Sequence, residues 1–457
     1  MSRRSVRRLC SESLETREVL AGNVNVVLSG HNLTITGDES ANTIAITQTT
    51  ATKTVRVEGR FTNIFLNGGG SAAFQEINVA DFAKLNVKIV TKEGFDFLTI
   101  GQAVGDRVTF AKLTIDTGAG SDGVAMQRVD VTGAGTNQIT LGKNSEVDAD
   151  NLNIVESGFA GDLKVRSGDG DDQVLVVTNT NVAGKLDIDC FKGNDAVAVQ
   201  NGTHGAVSVK LGDGNDTAAS LWNLNVTAGK LSLDTGNGSE VQVILNNVTA
   251  AKNVSINLGT DAAADANTLG VTGLTSSTKV TIRGGKGADN VALNTLHAPV
   301  IDVKLGEAAD VLNINGLAAD GALNSATKLS IALGAGDDLF TTATNIRAAT
   351  IDVKLGDGAN RMSADGATAA KKIKVASGKD ADLVIVTNIT APDLFIDLGD
   401  NGNDVLTASL LNVGVNGKLT VKGGAGIGDT LNFNTAGSTI PPFNAILKSG
   451  FEVENIT

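Results

Sequence analysis

Apolar side chains recur along this chain in pairs separated by a single polar residue. Leu186 and Ile188 precede a Gly-rich turn, and Val197 and Val199 follow it. A spacing of two places both members of a pair on one face of a β-strand. The same order of strand, Gly-rich turn, strand and Asn-marked turn recurs from roughly residue 30 onward. The pattern predicts short strands that each bury one face.

The Gly-rich turns set the period of the repeat. Each turn ends on an acidic residue or Asn, here called the anchor, and the mean step between strong anchors is about 24 residues. The strong anchors are Asp122, Glu146, Asp172, Asp195, Asp216, Glu240, Asp265, Asp289, Asp310, Asp338, Asn360, Asp382, Asp404 and Asp429, with looser matches at Asn42, Asn63 and Asp96. Two short strands per repeat cannot bury their apolar faces alone, so the repeats must stack on one another.

We therefore predict an all-β fold, a right-handed parallel β-helix (β-solenoid) of about 16 coils with roughly 22–25 residues per coil. A string of β-sandwiches would need turn signals every ~8–12 residues within a longer domain period, and the single short period argues against it. The residues expected in the core include Ile115, Val174, Ile188, Val197, Leu233, Val291 and Leu312. The outward residues Arg166, Asp189, Lys210 and Asp234 are expected to stack as a column of alternating charge.

Three segments follow from this pattern. Residues 1–21 form a basic leader, disordered or cleaved; residues 22–440 form the β-helix array; and residues 441–457 form a C-terminal capping strand. The leader lacks the apolar run of ~7–15 residues that a secretory signal needs. Its end, Leu14–Ala21, reads LETREVLA and resembles the LEPR-x-L-L leader of planctomycete-type surface and secreted proteins, with Thr16 in place of Pro. The resemblance implies an extracellular or cell-surface location.

Composition excludes several classes of function. The net charge is −13 with no Tyr and one Trp, which is unsuited to nucleic acid, because phosphates require basic residues and bases require stacking faces. No stretch reaches the ~18 apolar residues of a membrane span. Three His leave little for His-based catalysis, and two Cys make no disulfide framework.

The Gly-rich turns resemble the RTX calcium-binding repeats, whose nonapeptide is G-G-x-G-x-D-x-U-x. The closest match is Gly284–Val291, GGKGADNV. The resemblance implies calcium as a cofactor, with Asp169, Asp172, Asp213, Asp216, Asp289, Asp338 and Asp404 as ligands. Here one such turn occurs per coil rather than two in tandem, so the resemblance is local to the turn. Turn chemistry alone also explains Gly and Asp at these positions, whereas stacked carboxylates repel unless neutralised, and both interpretations remain open.

Many parallel β-helices are polysaccharide lyases or hydrolases, so an enzyme of that kind is the alternative. A glycosidase needs two carboxylates facing one cleft, and such sites normally interrupt the repeat with long loops. No coil here carries a sizeable insertion, and His31, His204 and His297 fall at unrelated places. We expect a non-catalytic extracellular or cell-surface protein with a structural, adhesive or matrix role, whose partners are glycans or like chains.

Overall fold

The computed structural model describes residues 22–102, 104–143, 148–177, 179–239, 242–259, 266–318, 328–342, 346–414, 416–442 and 446–457. These residues form parallel stacked coils, a β-solenoid of about 14 turns, which confirms the predicted fold with slightly fewer coils. The basic leader lies outside the described residues. Among the described residues, no helix is long and apolar enough to cross a membrane.

The strands are numbered in chain order. Strands β1 to β14 are Gly22–Ser29, Asn32–Thr36, Thr43–Thr49, Thr54–Gly59, Thr62–Leu66, Ser71–Ala72, Phe74–Asn78, Asn86–Val90, Phe97–Gly101, Val108–Phe110, Lys112–Asp116, Gly123–Gln127, Val129–Val131 and Asn137–Thr140. Strands β15 to β28 are Asn151–Val155, Gly158–Phe159, Leu163–Arg166, Gln173–Val177, Asn181–Asp189, Ala196–Asp213, Ala218–Val226, Leu231–Asn237, Val243–Ala250, Val254–Asn257, Thr268–Ser276, Lys279–Arg283, Asn290–His297 and Val300–Glu307. Strands β29 to β41 are Val311–Ala318, Lys328–Ala335, Leu339–Thr342, Ile346–Asp357, Arg361–Asp365, Ala367–Ala376, Leu383–Thr387, Asp393–Asp397, Val405–Ser409, Lys418–Lys422, Thr430–Asn434, Leu447–Ser449 and Val453–Ile456. A short 3₁₀ helix spans Phe82–Lys84.

Each coil has three sides, and a long strand can serve two of them. Within β23, Val243 to Asn246 pair with one stretch of β25, and Val248 to Ala250 pair with another. Asn247 lies at the corner between them with φ +53°, the left-handed region that Asn tolerates better than most residues. This explains why Asn recurs at the second turn of the repeat.

The N-terminal end departs from the coil pattern. Strands β3, β4 and β7 pair antiparallel, as do β1 with β2 and β5 with β6. The chain between Asn42 and Asp96 therefore leaves the regular coil path for hairpins, which accounts for a coil count below the prediction. Asn63, a looser anchor in the sequence, instead pairs with Asn23 of β1.

The apolar pairs line one continuous core. Ile115, Val174, Ile188, Val197, Leu233, Val291 and Leu312 are each at most 1% exposed, as predicted. Equivalent pairs of successive coils are in register, so that Leu186 and Ile188 stack on Val207 and Val209 of the next coil. Strands β40 and β41 extend the stack beyond β38 and β39 in the segment predicted to cap the array.

Candidate functional site

The Gly-rich turns allow no side chain at their tightest points. Gly236 has φ +89°, and a Cβ built on it would lie 1.6 Å from the carbonyl oxygen of Gly212 in the preceding coil. Gly212 and Gly236 occupy equivalent positions, paired in register. The glycines of these turns therefore let successive backbones come into contact, and this close approach carries the anchors into the interior.

The anchors form a buried column, here called the aspartate ladder. Most of the described anchor side chains accept, through Oδ1, the backbone N–H of the anchor one coil earlier, as in the 2.8 Å bond from Asp172 N–H to Asp195. Equivalent backbone bonds of 2.7–3.1 Å are accepted by Asp96, Asp122, Asp150, Asp172, Asp216, Asp310, Asp338, Asn360, Asp382, Asp404 and Asp429. Asp289 accepts from the side-chain amide of Asn267, and Glu452 accepts from the N–H of Asp429. The ladder thus joins coil to coil at the turn, where strand pairing is interrupted.

The second carboxyl oxygen of most ladder residues is buried and without a hydrogen bond. Within the described part of the chain this holds for Oδ2 of Asp96, Asp122, Asp172, Asp195, Asp216, Asp310, Asp338, Asp382, Asp404 and Asp429. Leaving such an atom unsatisfied is costly, and a buried negative charge costs more. The ladder residues therefore need either a proton or a counter-ion.

Asn360 shows what the pocket around the second oxygen favours. At this rung an amide replaces the carboxyl, and its Nδ2 donates to the carbonyl oxygens of Gly356 and Gly358, four and two residues earlier, at 3.1 and 2.9 Å. Asn42 does the same toward Asp38 and Ser40. The equivalent pocket in an aspartate rung therefore favours a donor, which a protonated carboxyl provides and an ionised one does not.

Burial raises the pKa of most of the ladder carboxyls, because it disfavours their charged form. Charge on neighbouring carboxyls raises it further, while the accepted N–H bonds act in the opposite direction. The pKa rises to about 6 for Asp172, Asp338 and Asp404, to about 7 for Asp122, Asp216 and Asp382, and to about 8 for Asp150, Asp195 and Asp310. Near neutral pH a large part of the ladder is therefore protonated.

The structure divides the seven residues predicted as calcium ligands into two groups. Asp172, Asp216, Asp289, Asp338 and Asp404 are ladder residues, each at most 1% exposed. Asp169 and Asp213 lie outside the ladder and line a shallow surface groove beside Lys192. Lys192 Nζ lies 4.0 Å from Asp169, and Asn237 donates to Asp213 at 2.7 Å. Among the described residues, no three His, Cys, Asp or Glu side chains converge as a metal-binding group, so the calcium prediction rests on the turn motif.

Two rungs differ from the anchors chosen by sequence. Asp150 occupies the ladder between Asp122 and Asp172, and Asn267 donates its side-chain amide to Asp289. The sequence pattern predicts Glu146 and Asp265 at these rungs, and both lie outside the described residues. The signal available in the sequence was the apolar pair Leu152 and Ile154, which stands two and four positions after Asp150, the spacing found after other anchors.

The predicted charge column is in register. Arg166 pairs with Asp189, Asp189 with Lys210, and Lys210 with Asp234 in successive strands. Arg166 Nη1 lies 2.7 Å from Asp189 Oδ2. The column lies on the outer face of the sheet, and the ion pair between Arg166 and Asp189 joins two neighbouring coils there.

His204 differs from the other two histidines in being buried. It is 1% exposed and stacks between Val182 and Val226, and neither ring nitrogen has a hydrogen-bond partner in the described part of the chain. Burial lowers its pKa to about 4, so the imidazole is neutral at physiological pH. A neutral ring enclosed by apolar neighbours is a core side chain.

Comparisons of this chain with protein-family models, with curated proteins and with solved structures find no match.

Proposed function

We propose that this protein is a non-catalytic structural or adhesive rod that acts at the cell surface or outside the cell. The aspartate ladder is the observation that carries this proposal. The ladder carboxyls are enclosed at the turns, and most of them accept a backbone N–H from the preceding coil, whereas Asp169 and Asp213 line a shallow surface groove. The ladder therefore holds neighbouring coils together and does not present its carboxyls to a substrate.

The histidines and the surface also favour a non-catalytic role over a polysaccharide lyase or hydrolase. His204 is buried in the core. His31 lies in the turn between β1 and β2, whereas His297 ends β27, far away along the stack. Two grooves on the described surface follow the outer faces of the coils. One is lined by residues of successive coils that include Thr109 and Thr203, and the other by residues that include Lys279 and Lys354. Such shallow faces suit repeated weak contacts.

Intact-cell proteolysis tests the location. Protease added to whole cells of the source organism is expected to degrade this protein while a cytosolic marker stays intact, and lysed cells serve as the control in which both are accessible. Full protection in intact cells, with degradation after lysis, would contradict a surface role.

A degradation assay tests the enzyme alternative. Purified protein incubated with neutral and acidic polysaccharides is expected to release no new reducing ends and no unsaturated uronates. Product release that persists after repurification, and disappears on removal of a single surface carboxyl, would establish the enzyme instead.

The proposal includes calcium binding at the Gly-Asp turns. Calcium prefers six to eight oxygen ligands, and turn carbonyls together with a carboxyl are oxygens of the right kind. Isothermal titration with calcium, with magnesium as the comparison ion, is expected to show saturable heat if the RTX-like turns bind it. An absence of heat at millimolar calcium would leave turn chemistry as the whole explanation.

A further inference from the structure

One face of the solenoid carries no formal charge over five successive coils. We call it the neutral face, and it consists of outward positions on β20, β21, β23, β25 and β27, which pair in register, together with Gln242 directly before β23. Its residues are Ala196, Ala198, Gln200, Asn201, Thr203, Ala218, Ser220, Trp222, Asn223, Asn225, Gln242, Ile244, Asn246, Asn247, Thr249, Thr268, Gly270, Thr272, Gly273, Thr275, Asn290, Ala292, Asn294, Thr295 and His297.

The absence of charge from this face is unusual for this chain. Charged residues make up 19% of the sequence. Because such residues lie almost entirely at protein surfaces, a face of this size would ordinarily carry about five of them. The sheet on another side of the same coils carries Lys210, Asp234 and Arg283 at outward positions. The neutral face is therefore chemically distinct from that charged side of the same coils.

Trp222 is the only tryptophan of the chain and lies within this face. It is 44% exposed and pairs in register with Gln200 on one side and Asn246 on the other. A large aromatic ring left in water forgoes the burial energy that a packed position would supply. The indole of Trp222 therefore offers a flat apolar surface with the hydrogen-bonding amides of Gln200 and Asn246 beside it.

The side chains on either side of Trp222 along the rod remain available for a ligand. Gln200, Asn246, Thr272 and Asn294 belong to the same column, and their side chains make no hydrogen bond to another residue in the described part of the chain. In contrast, the adjacent corner column is internally bonded, since Asn223 donates to Asn201 at 2.8 Å and Asn247 donates to Asn223 at 2.9 Å. A rigid edge thus borders a row of unsatisfied donors and acceptors spaced ~4.8 Å apart.

We propose that the neutral face binds an uncharged polysaccharide lying along the rod, with Trp222 stacked on a sugar ring. A pyranose ring presents an apolar C–H face to the aromatic plate and hydroxyls to the flanking amides. An acidic polymer would gain no cation from this face, and nucleic acid would find none of the basic groups that phosphates require. The proposal names the ligand class of the adhesive role above and rests on that role.

The test uses the fluorescence of the single tryptophan. Because the chain has one Trp and no Tyr, emission excited in the indole band reports on Trp222 alone. The probes are hydroxyethylcellulose, arabinoxylan and galactomannan, with polygalacturonate as the acidic comparison. We expect at least one neutral polymer to shift the emission and protect it from acrylamide quenching, and to retard the protein in an affinity gel, while polygalacturonate does neither.

Variants decide whether the face is responsible. Trp222→Ala is expected to raise the dissociation constant measured in the affinity gel about tenfold or more. Thr272→Asp, which places a charge on the face, is expected to have the same effect. Phe95→Ala removes an aromatic ring that is 71% exposed outside the face, and should leave binding unchanged. Thermal unfolding of each variant establishes that it folds, and the charged substitution gives a second measurement should the tryptophan variant be unstable.

Three outcomes would overturn the inference. Retardation equal in wild type and in both face variants would place the binding elsewhere. Concentration-dependent self-association that Trp222→Ala abolishes, without polysaccharide binding, would make the face an interface between copies of this chain. A protein that is surface-exposed in cells yet binds none of the neutral polymers would refute the ligand class while leaving the proposed surface role intact.

Discussion

A ladder aspartate replaces the backbone partner that a turn cannot supply, and its protonation state determines whether this stabilises the fold. Asp195 is fully buried, accepts the N–H of Asp172 and has an unpartnered Oδ2, and burial raises its pKa to about 8. Asn in its place retains the acceptor and adds a donor without a charge, as Asn360 does naturally. We expect Asp195→Asn to raise the melting temperature at about pH 9 and to change it little at about pH 5, measured by circular dichroism.

The sign of this expectation follows from the raised pKa. The unfolded carboxyl ionises near 3.8, whereas the folded one holds its proton until about pH 8. The stabilisation due to the proton is complete below the unfolded pKa and is lost as pH rises through the folded pKa. The matched control is Asp116→Asn, an exposed carboxyl on β11, which should show no such pH-dependent gain. An Asp195→Asn variant less stable than wild type at about pH 9 would show that the rung needs its charge.

Gly236 lets two coils stack closely because its side chain is only a hydrogen atom. Ala at this position would have an unfavourable φ of +89° and a Cβ 1.6 Å from the Gly212 carbonyl oxygen. Backbone strain alone costs about 1–3 kcal/mol. Gly68→Ala is the matched control, since Gly68 has φ +71° with nothing near its Cβ position. We expect urea unfolding to show a clearly larger loss for Gly236→Ala than for Gly68→Ala, because only the former also displaces a neighbouring coil. Equal losses would mean that the coils separate easily.

At the scale of the strand, register is set jointly by inward apolar columns and outward polar ones. A slip of one residue would bury Lys210 or Asp234 and expose Leu233, so the alternation permits one alignment. This is why the apolar pairs and the charge column could be predicted from sequence alone. The pattern is repeated in each coil, and each copy constrains the next.

The parts that sequence could not predict are those where the repeat changes length or direction. The step from Asp122 to Asp150 is 28 residues, longer than the usual step, so the turn pattern points to the acid at Glu146 instead. The hairpins of β3, β4 and β7 use the same alternation as coil strands, so strand pattern did not separate them. The inward position of the ladder aspartates was also hidden, because an acidic residue after glycines is typical of an exposed turn.

The charge column provides a prediction at this scale. Lys210→Asp would stack carboxylates at Asp189, residue 210 and Asp234 in three successive coils. We expect a loss of free energy of unfolding below about 1 kcal/mol at low salt, because exposed pairs contribute little each. High salt should diminish the loss by screening. Lys252→Asp, an exposed charge reversal on a neighbouring turn, is the control and should cost less. A loss independent of salt would assign the effect to packing instead.

For the whole molecule, the ladder makes stability a function of pH along the entire rod. Nine of its carboxyls have pKa values raised to about 6–8, so the folded state binds more protons than the unfolded state above about pH 4. Stability must therefore fall as pH rises through that range. His204 acts in the opposite direction, since its lowered pKa of about 4 favours the fold above its ordinary value of 6.5. The pH dependence of stability due to nine carboxyls is larger than the opposite contribution of one imidazole.

We expect the melting temperature, measured in EDTA, to be highest near about pH 5 and to decline steadily to about pH 9. Repulsion among exposed carboxylates cannot produce the decline above about pH 6, because those groups have already ionised by then. A flat or rising profile from about pH 6 to 9 would mean that the ladder carboxyls do not have raised pKa values in the folded protein. Repeating the series with calcium tests whether a cation can replace the ladder protons. If calcium takes the place of the ladder protons, it will restore the melting temperature at about pH 9 and have little effect at about pH 5, where the nine carboxyls with raised pKa values largely hold their protons.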